Sequence, residues 1–216
     1  MTKNLDKEGL SSIVDNYQLF YIDLWGVVHN GVILHQEAIK ALKEISKKGK
    51  EYILLTNAPR PNEVVKSFLE KMGMEREIRE HVFTSGEASL NYLKKNLKDK
   101  KFFHVGPPRD FDLFNDFKKI KTDNVDDSEY IICTGLFDKY NSDLNYYKKL
   151  FENNLKKKMI CTNPDLIVDR GNARELCAGS VALIFEKMGG EVIYFGKPYP
   201  EVYNLSINNS GKKILS

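Results

Sequence analysis

A short apolar run, Phe20-Tyr21-Ile22, stops at Asp23, and Gly26 follows three positions later. No other feature limits so strongly what this chain can fold into. Apolar residues ending at a carboxylate describe a parallel strand covered on both faces, delivering that carboxylate to the rim of a sheet. In open α/β sheets, ligands bind at the rim formed by the carboxyl ends of the strands. Taken alone, Asp23 also fits a turn carboxylate or a helix N-cap.

The pattern recurs. Gln36 to Lys48 carries Ala38, Ile39, Leu42 and Ile45 at helical spacing and is stopped by Gly49. Glu51 to Leu55 is a second apolar run, ending in Thr56-Asn57. Strand, helix and strand make a βαβ unit that sets Asp23 and Thr56 at one sheet edge. A third short strand is expected at 81–86 and a helix at 87–97. The charged stretch Lys98 to Lys101 then breaks the chain, and Phe102 to Val105, Tyr130 to Cys133 and Met159 to Cys161 restart the α/β alternation. These shifts predict a first domain of residues 1–97 and 190–216, with 98–189 inserted as a second. Val192 to Phe195 is a late strand running into Gly196-Lys197, and 212–216 opens one more.

The rest of the chain narrows the function class. Its 216 residues suffice for one large domain or two small ones, and 42% hydrophobic with 29% charged residues fits an ordinary globular protein. A net charge of +3, from 33 basic and 30 acidic residues, argues against a dedicated nucleic-acid binder. The charged start, Met1 to Glu8, has no apolar signal core, and no apolar run nears the roughly 18 residues of a membrane span. Cys133, Cys161 and Cys177 form no CxxC pair, which suits reduced thiols in a cytoplasmic protein.

Asp23, Thr56-Asn57 and Lys197 thus stand at three strand ends. A carboxylate nucleophile, a hydroxyl and amide donor pair, and an ammonium group suit phosphoryl transfer through an aspartyl-phosphate. Bringing a carboxylate to a phosphate dianion calls for a divalent ion, and oxygen ligands with phosphate indicate Mg²⁺.

In this order, Asp23-Leu24-Trp25-Gly26-Val27, Leu54-Leu55-Thr56-Asn57 and Gly196-Lys197-Pro198 resemble the first three motifs of the haloacid dehalogenase (HAD) superfamily. The insert between the second and third, with Cys161-Thr162-Asn163-Pro164-Asp165-Leu166, is similar to its class IIA, NagD-like members. The resemblance implies an α/β, Rossmann-like HAD core with a parallel sheet and an inserted α/β (C2-type) cap domain. It implies a Mg²⁺-dependent phosphatase acting on a small phosphorylated metabolite, a sugar phosphate or nucleotide-like compound, and it allows a homodimer through the cap. By position, Asp23 corresponds to the nucleophile and metal ligand, Thr56 and Asn57 to the phosphoryl-binding pair, and Lys197 to the neutralising cation. Asn163 and Asp165 would face the site from the cap.

Two departures stand out. The family's second aspartate, its general acid, is replaced by Trp25, whose main-chain carbonyl can still ligate the metal but whose indole delivers no proton. His29 is the nearest substitute donor. The family's fourth, acidic motif would follow the strand begun at Ile214, and this sequence does not include it. The first departure implies slow or narrow activity limited to good leaving groups, or another proton donor; both favour a rival reading, a catalytically weakened binding or regulatory protein or an inactive fragment. A dinucleotide oxidoreductase is distant, because no GxGxxG follows a strand.

Overall fold

A computed structural model describes residues 5–97, 99–170, 173–207 and 211–216. Lys98, at the expected break, and the first four residues of the charged start lie outside them.

The first sheet is built as the apolar runs require. β1 (Leu19–Ile22) pairs in parallel with β2 (Glu51–Thr56), with Ile22 opposite Leu54. Between them α1 (Gln36–Lys47) turns Ile39, Leu42 and Ile45 inward. α2 (Asn62–Lys71) leads to β3 (Val82–Thr84), which extends the sheet from β2. Thr84 caps α3 (Ser85–Asn96), its hydroxyl accepting the Glu87 N–H at 2.9 Å. The last strand, β11 (Ile214–Leu215), adds to the free side of β1, giving the order β11-β1-β2-β3.

The second sheet uses β4 (Phe102–Val105), β5 (Lys121–Thr122), β6 (Tyr130–Cys133) and β7 (Lys158–Cys161), covered by α4 (Leu144–Phe151) and α5 (Ala178–Lys187). Between β7 and α5 stands an antiparallel hairpin, β8 (Ile167–Arg170) with β9 (Ala173–Leu176). β10 (Glu191–Tyr194) pairs with β7 from Glu191↔Lys158 to Tyr194↔Cys161, and the order is β10-β7-β6-β4-β5, all parallel. Here the structure departs from the expected boundary. The strand assigned to the first domain belongs to the second sheet, because its backbone finds its partner in β7. The chain leaves that sheet only after Tyr194, reaches Gly196-Lys197 and continues into α6 (Pro200–Ser206).

The two sheets share a core. Leu55, Ala88 and Leu93 of the first pack in one cluster with Phe102, Ile132 and Ile160 of the second, joined by Phe195 and Val202. All three cysteines are buried and unpaired with one another as disulfides. No helix among the described residues is long and apolar enough to cross a membrane.

One buried polar group makes the fold sensitive to acid. His104 on β4 is 4% exposed, and its Nε2 lies 2.8 Å from the Thr134 hydroxyl. Burial, helped by Lys121, pushes its pKa down to about 3. Between that value and its ordinary 6.5 the unfolded chain binds the proton and the folded one does not, so stability falls as pH drops through this window. Denaturant titrations from pH 7 to 4 should show a loss approaching 1.4 kcal/mol per unit from this group, to order of magnitude. The His104→Gln protein, which keeps a partner for Thr134, should lose measurably less.

Candidate active site

Three strand ends converge. Asp23 is the first residue beyond β1, Thr56 closes β2 beside it, and Lys197 follows β10 by three positions. The Lys197 Nζ donates to Asp23 Oδ1 at 2.5 Å across 174 residues of sequence. The Asp23 side chain is 39% exposed and that of Lys197 26%, so the pair lies at an accessible rim. The convergence expected of one carboxylate and one ammonium group is present.

What holds Lys197 there is Asn57. The Asn57 Oδ1 accepts the Lys197 main-chain N–H at 2.7 Å, and its Nδ2 donates to the Lys197 carbonyl at 3.1 Å and to Asp165 Oδ1 at 2.8 Å. One buried carboxamide thus ties the end of β2 to the segments after β7 and β10. Gly196 is needed for this approach. Its φ is +124°, and a Cβ there would stand 2.6 Å from Pro164 Cδ and 2.7 Å from Asn57 Oδ1. Thr56 is 8% exposed and its Oγ1 accepts the Ala58 N–H at 3.3 Å, which leaves its hydroxyl hydrogen to donate.

Asp165 comes to the cluster and Asn163 does not enter the hydrogen bonds around Asp23. Burial pushes the Asp165 carboxyl up, while the Asn57 bond and the Lys197 charge pull it back and Asp23 adds to the rise. Asn163 instead accepts the Asp165 N–H through Oδ1 at 3.0 Å, closing a local turn.

Trp25 and His29 are better defined by their partners than by their types. The Trp25 Nε1 donates to the Asp169 carbonyl of β8 at 3.1 Å, so the indole fastens the hairpin to the loop after β1. Its ring lies over Gly31, where a Cβ would come within 2.6 Å of Cη2, and edge-on to His29 at 5.4 Å. His29 is 3% exposed, and its Nδ1 accepts the Gly31 N–H at 2.9 Å. Burial pushes its pKa down against the pull of Asp23. A buried ring that accepts a backbone hydrogen bond is neutral at pH 7, so His29 does not fit the role of substitute proton donor.

Asp23 Oδ2 and the Trp25 main-chain carbonyl are hard oxygen donors of the kind Mg²⁺ takes. Among the described residues no group of three or more His, Cys, Asp or Glu could hold a metal ion.

Residues 20–118 match the family of haloacid dehalogenase-like hydrolases. The chain also superposes on a hydrolase of the haloacid dehalogenase-like family from Brucella suis 1330, with 29% identity and a TM-score of 0.82, over 95% of this chain and 77% of that one. Over residues 20–118 the chain is thus similar to the haloacid dehalogenase-like hydrolases, and over most of its length it shares the fold of one of them. Two further neighbours share its fold. One is a 4-nitrophenylphosphatase from Thermotoga maritima, 22% identical, TM-score 0.68, over 89% of this chain and 73% of that one. The other is a possible sugar phosphatase of the HAD superfamily from Cytophaga hutchinsonii, 18% identical, TM-score 0.70, over 91% and 72%. No curated protein matches the chain in sequence.

Removing the Asn57 carboxamide should loosen the site and the fold together. Asn57→Ala strips the Asp165 carboxyl and the Lys197 main chain of their buried partner, a loss of about 1–3 kcal/mol in chemical denaturation. A loss below about 0.5 kcal/mol would show that the three segments are held by something else.

Proposed function

We propose that the chain is a phosphatase, cleaving a small phosphorylated metabolite through an aspartyl-phosphate on Asp23. The observation that carries this reading is the Lys197 ammonium 2.5 Å from the Asp23 carboxylate, at the rim where Thr56 and Asn57 also end their strand. Asp23 would attack phosphorus with the oxygen facing the substrate. Lys197 would hold the carboxylate in place and offset the charge of the incoming phosphate. The Thr56 hydroxyl would donate to a phosphoryl oxygen, with Asn57 keeping Lys197 in register. Asp23 and the Trp25 carbonyl are the groups that would hold Mg²⁺, which when bound eases the meeting of two anions.

The second sheet with its hairpin would act as the cap, and Asp165 would read the substrate from that side. Asn163 would contribute by shaping the turn that presents Asp165. The phosphatases among the structural neighbours lend this reading weight through fold. The Trp25 bond to the hairpin favours the rival reading, a binding protein without turnover.

Incubation with p-nitrophenyl phosphate and Mg²⁺ separates the two. A phosphatase should release nitrophenolate and carry a hydroxylamine-sensitive phosphoryl label on Asp23. The Asp23→Asn protein should lose at least about 10³-fold in kcat/KM and carry no label. Hydrolysis that survives this substitution would exclude the covalent route. Binding of the ester with no release of phosphate would establish the rival.

A further inference from the structure

The inference concerns the leaving group, and it rests on the phosphatase reading. Phosphoryl transfer to Asp23 forms an O–P bond as the bond from phosphorus to the leaving oxygen breaks. The electron pair departs on that oxygen. An alkoxide is a poor leaving group unless an acid protonates it as it goes, and a positioned acid is worth about 10²–10⁴ in rate.

The groups around Asp23 can be taken one by one. Lys197 donates to Asp23 itself. Thr56 and Asn57 carry no acidic proton. The Trp25 N–H faces the hairpin, bonded to the Asp169 carbonyl, and indole is no acid in water. His29 is buried against Trp25 with its Nδ1 filled by the Gly31 N–H. Asp165 is the remaining carboxyl. Its Oδ1 accepts from the Asn57 amide, and Asn57 in turn grips Lys197, so this carboxyl is engaged in the junction that holds the ion pair.

We propose that this site takes phosphoryl groups from compounds whose leaving oxygen departs unprotonated, namely aryl, enol and acyl phosphates, and turns over alkyl phosphates poorly. The leaving oxygen goes as an anion and takes its proton from bulk water. Water then attacks the phosphorus of the aspartyl-phosphate, the bond from phosphorus to Asp23 breaks, and inorganic phosphate leaves with the water's proton passing to phosphate or solvent. Among the described residues, the same engagements of His29 and Asp165 leave neither placed to act as base for that water. The second step is therefore slow and common to every substrate.

A series of para-substituted phenyl phosphates tests this, because it changes leaving-group acidity at constant shape. With Mg²⁺ present, kcat/KM should fall by about 10²–10⁴ from p-nitrophenyl to p-methoxyphenyl phosphate. For the best esters kcat should level off, after a burst of phenolate near one equivalent per chain. Trp25→Asp, which introduces a carboxyl two residues from Asp23, should flatten the series; if that protein does not fold, the wild-type series decides alone. A shallow wild-type series would overturn the proposal. A shallow series that steepens in Asp165→Asn would overturn it too, and identify Asp165 as the acid. If no ester is cleaved and Asp23 is never labelled, the phosphatase reading itself fails and this inference with it.

Discussion

Lys197 reaches Asp23 because one carboxamide holds its main chain on both sides of the Cα. Asn57 accepts the Lys197 N–H, donates to the Lys197 carbonyl and donates again to Asp165. Segments 108 and 140 residues beyond Asn57 in the chain thereby share one fastener. Without it, an ammonium group on a flexible stem would have no reason to prefer Asp23 over solvent, since an ion pair at a half-exposed rim is worth little by itself. The sheets supply the frame, but this small polar junction determines whether the rim is a site.

The junction also explains why the second sheet matters to the first. β10 hydrogen-bonds β7 and then hands the chain to Gly196-Lys197, while the turn after β7 presents Pro164 and Asp165 to the same spot. Two neighbouring strands of one sheet therefore deliver groups to the rim of the other. Asp165 and the ion pair are coupled through the backbone, so a change in how the second sheet seats would be felt at Asp23 without any change in its neighbours on β1.

Much of this was legible in the sequence, and the reason is local. Apolar runs ending in Asp23, Thr56 and Lys197 mark strand ends wherever the strands pair, so the chemistry could be located before the fold was known. The sheet to which β10 belongs was not legible. A run of four residues with apolar Val192, Ile193 and Tyr194 states that a strand exists, not which neighbour it bonds. The β8–β9 hairpin escaped for a different reason. Its strands carry Asp169 opposite Arg174, and Ile167 is 46% exposed, so no buried face imposes an alternating pattern. The Trp25 bond to Asp169 spans 144 residues and ends on a main-chain oxygen, which no residue type announces. His29 was legible as a histidine near the site but not as a buried, neutral one. That difference comes from Gly31 and Trp25 closing around it.

The indole at position 25 has one more consequence. The chain contains a single tryptophan, and it stands two residues from Asp23 with its N–H on the hairpin of the other sheet. Excited at wavelengths that tyrosine does not absorb, the chain's indole emission therefore originates at the mouth of the site. Displacement of the hairpin, or the arrival of a charged ligand beside the ring, is written into the colour of the unlabelled protein.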